Sequence, residues 1–268
     1  MSYVRNALDG TCVYFEDDAG EGAAVMLYGG ILDSVELVRS SHIAKVLQAL
    51  PDEFRLIYAD HRGLGRSDKP HDVEAYAMPL RVADAVAVLV ELGIDRAHFI
   101  GTSYGGRLCF GIGEHAPERV LSLVIGGQQP YAMNPNGPLA RVVMEGVAAS
   151  QTEGIEAFVK ALEKFSGVRL PETQRVKYLE NDPASVAAAS NAMLGEGAIV
   201  KELRAWQFPC LIFVGAGDVD FLEQARHAAD EIPNAEFLAL EGADHLGAHL
   251  QHDVVVPAVL RTLRAASN

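Results

Sequence analysis

Cysteine and tryptophan are scarce: 268 residues hold three of the first and one of the second. Cys12, Cys109 and Cys210 each sit in an apolar strand-like or helix-like context. They read as small core residues, not as a disulfide framework. No His and Cys cluster at ligand spacing, so no metal is expected. No glycine loop runs into Lys-Ser or Lys-Thr, which leaves no cradle for a nucleotide phosphate, and no cofactor is expected. No apolar run reaches the roughly 20 residues of a membrane span. Basic residues are the minority charge, 22 Lys and Arg against 36 Asp and Glu, for a net −14. Nucleic acids and anionic membranes are recognised through a basic footprint, so neither is expected as a partner, whereas a small-molecule substrate is. Met1-Ser2-Tyr3-Val4-Arg5 lacks the apolar core of a signal peptide, and a cytoplasmic location is the expectation. Oligomeric state leaves no signal in the chain.

What is present is apolar residue, 49% of the chain, arranged in an alternating order of elements. Residues 3–5 and 12–15, split by Asp9-Gly10, spell a hairpin. Residues 23–28, 54–59, 97–100 and 120–125 are short continuous apolar runs, as strands buried on both faces require. Helical stretches fall between them: 35–50 up to Pro51, 76–92 with Val82, Ala85, Val86, Leu89 and Val90 at helical spacing, and 104–115 up to Pro117. Such alternation implies a parallel sheet with right-handed crossovers. Residues 130–205 break the pattern. They offer helices at 138–150, 153–165, 171–181 and 184–194 and no convincing strand. Strand-like 210–214, a helix near 220–231, a strand at 235–240 and a helix near 251–265 complete the α/β order. The expected organisation is therefore a core of residues 1–129 and 206–268 with a helical cap inserted at 130–205.

One motif carries chemistry. Gly101-Thr102-Ser103-Tyr104-Gly105 stands where a strand ends and a helix begins. A serine on a sharp strand-to-helix turn has a strained backbone, and the positions two residues to either side come too close for side chains. Glycines 101 and 105 remove that conflict. The hydroxyl is then exposed at a helix N-terminus, which favours developing negative charge.

With this elbow the chain resembles the α/β-hydrolase family over nearly its whole length. Asp60-His61-Arg62-Gly63-Leu64-Gly65-Arg66-Ser67 is similar to the family's D-x-R-G-x-G-x-S loop. Gly215-Ala216-Gly217-Asp218 is similar to its acid loop, and Gly242-Ala243-Asp244-His245 to its histidine loop. The resemblance implies a mostly parallel central sheet flanked by helices, with a helical cap. It implies Ser103 as nucleophile, His245 as general base, and Asp218 as the group orienting the imidazole. Backbone N–H groups of Gly30 and Tyr104 are the implied oxyanion hole. The chain departs from many relatives in carrying Tyr28-Gly29-Gly30 where they carry His-Gly.

Each role has a rival. Asp220 competes with Asp218, and His249 and His252 compete with His245. Asp244 reads as a surface residue, His61 as structural, and Cys109 as a core thiol. A serine at the elbow suits acyl transfer, whereas the related epoxide hydrolases and dehalogenases use aspartate there. The expected activity is hydrolysis of a small-to-medium apolar carboxylic ester or lactone through an acyl-enzyme. Hydrolysis of a carbon–carbon bond beside a carbonyl, a cofactor-free perhydrolase activity, and a slow-turnover ligand receptor are the alternatives. Tyr131, Met133, Val142, Met144, Phe158, Phe165, Met193 and Trp206 are the expected apolar pocket residues.

Overall fold

In the computed structural model, which describes residues 2–167 and 169–266 with the side chain of His249 excepted, eight strands form one sheet. They are β1 (Ser2–Arg5), β2 (Cys12–Asp17), β3 (Ala23–Tyr28), β4 (Phe54–Ala59), β5 (Ala97–Thr102), β6 (Val120–Gly126), β7 (Cys210–Gly215) and β8 (Ala235–Leu240). Their order across the sheet is β1-β2-β4-β3-β5-β6-β7-β8. β1 and β2 form the expected hairpin, and β2 meets β4 antiparallel; every later pair is parallel.

Parallel strands need crossovers, and the crossing helices cover both faces, so alternate side chains of one strand enter opposite cores. Met26, Ile57, Phe99, Leu123, Ile125 and Ile212 fall in one apolar cluster. Val25, Leu27, Leu56, Ile100, Val124, Leu211 and Phe213 fall in the other. That two-sided burial is why the strands read as unbroken apolar runs.

The helices follow the expected order with local differences. The stretch 35–50 is two helices, α1 (Val35–Ser40) and α2 (His42–Gln48). Ser41 between them is extended, with ψ 155°, and its hydroxyl accepts the Ala44 N–H at 3.2 Å. A serine that caps one helix in the extended conformation ends the one before it. α3 is Met78–Glu91, preceded by a single 3-10 turn at Val73–Tyr76, and α4 is Tyr104–His115.

After β6 the chain runs through α5 (Pro138–Glu153), α6 (Ile155–Ser166), α7 (Glu172–Leu179) and α8 (Pro183–Gly195) before β7. Buried Arg107 of α4 clamps both ends of this excursion. Its guanidinium donates to the carbonyls of Gln129 (3.1 Å) and Tyr131 (2.9 Å) where the chain leaves the sheet. It also donates to the Gly197 carbonyl (3.1 Å) and the Glu196 carboxylate (3.0 Å) where the chain returns. α9 (Leu222–Glu231) and α10 (His252–Ala266) close the fold.

Candidate active site

Ser103 sits between β5 and α4 with φ 51° and ψ −113°, a left-handed conformation that side chains other than glycine seldom adopt. The turn is held from three sides. Ser103 N–H donates to the Gly126 carbonyl (2.8 Å), Gly105 N–H to the Gly29 carbonyl (3.0 Å), and Arg107 N–H to the Ser103 carbonyl (3.0 Å). A Cβ at Gly101 would collide with the Gly105 carbonyl, and one at Gly105 would stand 2.7 Å from the Gly29 oxygen. Both glycines are thus sterically obligatory.

The serine hydroxyl lies 3.1 Å from Nε2 of His245, whose Nδ1 lies 2.7 Å from Oδ2 of Asp218. Ser103 follows β5, Asp218 follows β7 and His245 follows β8, so the carboxyl ends of three strands in one parallel sheet, with β6 between the first two, bring together residues far apart in sequence. His245 and Asp218 are both 4% exposed. The Phe221 ring packs on the imidazole, with centroids 5.1 Å apart. An imidazole between a carboxylate and a hydroxyl is fixed in the tautomer that presents a free nitrogen lone pair to the hydroxyl.

Residues 23–186, well over half of the chain, match the model of the alpha/beta hydrolase fold family. The chain belongs to this family. It is similar to the cis-3-alkyl-4-alkyloxetan-2-one decarboxylase of Xanthomonas campestris, 26% identical over 283 residues, covering 92% of this chain and 90% of that protein. A thermophilic esterase from Thermogutta terrifontis superimposes with a TM-score of 0.81 at 24% identity, covering 100% of this chain and 99% of the other. An N-acyl homoserine lactone degrading enzyme superimposes with a TM-score of 0.68 at 26% identity, covering 98% and 99%.

In this α/β-hydrolase the rival residues have other tasks. Asp220 Oδ2 accepts the Leu139 N–H at 2.6 Å and so caps α5, whose own N-cap residue, Gly137, has no side chain to do it. His252 stacks on His42, ring centroids 4.2 Å apart. His249 lies outside the described side chains. Asp244 accepts the Gly247 N–H at 2.7 Å and shapes its own loop. His61 is buried between Tyr28 and Tyr104, each ring centroid 4.9 Å away, with Nε2 3.1 Å from the Gly29 carbonyl. Burial lowers its pKa to about 3, so it stays neutral beneath the elbow. Burial likewise pushes the Cys109 thiol up, away from the reactive thiolate.

The Asp60 loop is an anchored bracket. Asp60 accepts the N–H groups of Val35 (2.6 Å) and Arg66 (2.7 Å), and burial raises its carboxyl to about 6. Arg62 grips both oxygens of Asp84 at 2.7 Å. Neither reaches the serine.

The two implied oxyanion donors differ. Tyr104 N–H opens α4, where an amide has no acceptor within the helix. Gly30 N–H is already engaged, donating to Asp33 Oδ2 at 2.6 Å. Asp33 Oδ1 in turn accepts the Tyr178 hydroxyl of α7 at 3.0 Å. Neither Asp33 nor Tyr178 stood out in the sequence. The only trace was an aspartate three residues after a glycine pair, and the turn closed by Asp33 N–H to the Gly30 carbonyl (3.1 Å) accounts for it.

A cavity of about 680 Å³ opens onto Ser103 and His245. Of the eight expected pocket residues, Met133 and Met193 line it. The other six do not. α5 turns Leu139, Ala140 and Val143 to the cavity, so its phase directs Val142 and Met144 elsewhere, and Met144 is 38% exposed. Phe158 is fully buried against Gly146, Phe165 packs on the same core, and Trp206 packs on Phe110 and Phe208. Tyr131 stacks on His227 and donates to Glu231 at 3.2 Å. Leu162, Leu170, Tyr178 and Leu194 supply the wall instead.

Proposed function

We propose that this α/β-hydrolase is a serine carboxylic-ester hydrolase that cleaves small-to-medium apolar esters or lactones through an acyl-enzyme. The observation that carries the reading is the continuous Ser103–His245–Asp218 chain, 3.1 Å and 2.7 Å, opening onto a largely apolar cavity. His245 Nε2 takes the proton of Ser103 as Oγ bonds to the carbonyl carbon. Negative charge passes to the carbonyl oxygen, facing the Tyr104 N–H at the helix N-terminus and, once Asp33 Oδ2 yields it, the Gly30 N–H. The tetrahedral centre collapses and the alcohol leaves with the proton held by His245. Water then repeats the sequence on the acyl group, His245 again taking and returning the proton, and the acid departs with Ser103 restored. Asp218 keeps the imidazole oriented and stabilises its charged form throughout.

The relatives' names support the substrate class: an oxetan-2-one, which one relative decarboxylates, is a cyclic ester, and the homoserine lactone that another degrades is a second. Segment 130–205 serves, in this proposal, as the cap that shapes the acyl pocket, with Leu139, Val143 and Tyr178 facing it.

Mass spectrometry of the intact protein after a fluorophosphonate probe, and after an activated short-chain ester, tests the nucleophile. One adduct mapping to Ser103 and absent from a folded Ser103→Ala variant is the expected result. A wild type that takes no adduct and turns over no ester sinks the proposal.

A further inference from the structure

Asp33 has no role in the triad, yet it borders the reacting atoms. A Cβ built on Gly30 would lie 3.4 Å from Asp33 Oδ2 and 3.9 Å from Ser103 Cβ, so carboxyl and nucleophile flank the same glycine. Both residues line the one cavity. The carboxyl is held by two neutral donors, Gly30 N–H at 2.6 Å and Tyr178 OH at 3.0 Å. Among the described residues no Lys, Arg or His pairs with it. The apolar side chains of Ile31, Leu32 and Leu194 share its wall. Burial raises the pKa of this carboxyl while the Gly30 and Tyr178 donors favour its ionised form, and the charge those donors hold sets the sign that the site tolerates next to the scissile carbonyl.

We infer that Asp33 is a specificity-determining residue, which excludes acyl groups carrying a negative charge near the scissile carbonyl and admits neutral ones. The inference rests on the ester-hydrolase reading above. A neutral carbonyl oxygen competes with Asp33 Oδ2 for the Gly30 N–H. The carboxyl can yield that donor while Oδ1 stays on Tyr178, so the oxyanion contact opens without releasing the side chain. An acyl chain bearing a carboxylate meets like charge at the same spot, in a cavity where water screens it poorly. Arg169 on the α6–α7 connection also lines the cavity, so a negative charge at the far end of a longer chain has a partner there. The exclusion concerns charge close to the reacting carbon.

Methyl butyrate and monomethyl succinate test this, being close in size and different in charge. Methanol release by wild type and Asp33→Asn is followed by proton NMR. Asparagine keeps the acceptor oxygen and removes the charge. The expected result is a wild type that prefers the neutral ester. In the variant the ratio of kcat/KM for monomethyl succinate to that for methyl butyrate should rise by on the order of tenfold or more, whatever change the two esters share. Equal change on both esters would mean that Asp33 only shapes the turn, and equal use of both by wild type would overturn the inference outright. Asp33→Ser gives the same readout should asparagine disturb the turn. A wild type inactive on both esters defeats the hydrolase reading instead. Calorimetric titration then decides the inference separately: tighter binding of monomethyl succinate, but not of methyl butyrate, by Asp33→Asn upholds it, and no gain refutes it.

Discussion

At the scale of single residues, the two aspartates Asp218 and Asp220 differ by two positions and by everything that matters chemically. Asp218 points at the imidazole, and Asp220 caps α5 through the Leu139 N–H. Their substitution should separate function from stability. Asp218→Asn should lower kcat by on the order of 10³–10⁴ with KM and melting temperature nearly unchanged, because the tautomer is lost and not the packing. Asp220→Ala should lose about 1 kcal/mol of stability, the value of a helix cap, and leave the rate of the chemical step intact. Urea titration beside steady-state kinetics reads both. That Asp218, and not Asp220, lies against His245 was legible from its position after Gly215-Ala216-Gly217. The partner of Asp220 was not, because it lies on a helix 81 positions away in sequence.

At the scale of elements, the β5–α4 elbow stores backbone strain to expose one hydroxyl. Ser103 keeps a positive φ because the Gly126 and Gly29 carbonyls and the close packing of Gly101 against Gly105 leave it no other conformation. Ser103→Ala and Ser103→Gly both remove the hydroxyl proposed as nucleophile, yet they should differ in stability. Glycine accepts this conformation and alanine does not, so the glycine variant should be the more stable by about 1 kcal/mol in urea unfolding, against the usual order of the two residues. The elbow was readable because its constraint is local and recorded in glycine spacing. The pocket helices were readable as helices, but not as to face. Helices α5 and α6 each bury a stripe against the other and another toward the cavity, and an apolar residue does not say which stripe it belongs to. Hence Phe158 of α6 proved to be core, while Leu139 and Val143 of α5 and Leu162 of α6 line the cavity.

At the scale of the whole molecule, one buried guanidinium ties together the two ends of the helical excursion. Arg107 is fully buried and binds the chain on both sides of the segment from Gln129 to Gly197. Glu196 is its one ion-pair partner among the described residues. Removing the carboxylate leaves a buried charge without its counterion, which typically destabilises by about 3–5 kcal/mol. Glu196 is itself 17% exposed, so solvent will soften the loss. Glu196→Gln should therefore lower the melting temperature clearly. It should also quicken proteolysis between residues 129 and 197 ahead of the sheet, and limited digestion followed by mass mapping checks the order. A uniform loss of protection across the chain would show that the clamp stabilises the fold as a whole and not the excursion.

The chain by itself determined the α/β order, the parallel sheet, the strained elbow and the order serine, acid, histidine. Each is written in short-range terms: apolar period, glycine position, and loops that follow strand ends. Tertiary structure alone decided which apolar side chains see the cavity, that Asp220 serves a helix and not the imidazole, and that Asp33 holds the Gly30 N–H while Tyr178 reaches it from α7. Those facts depend on helix phase and on contacts between segments as far as 145 positions apart, and no local pattern encodes them.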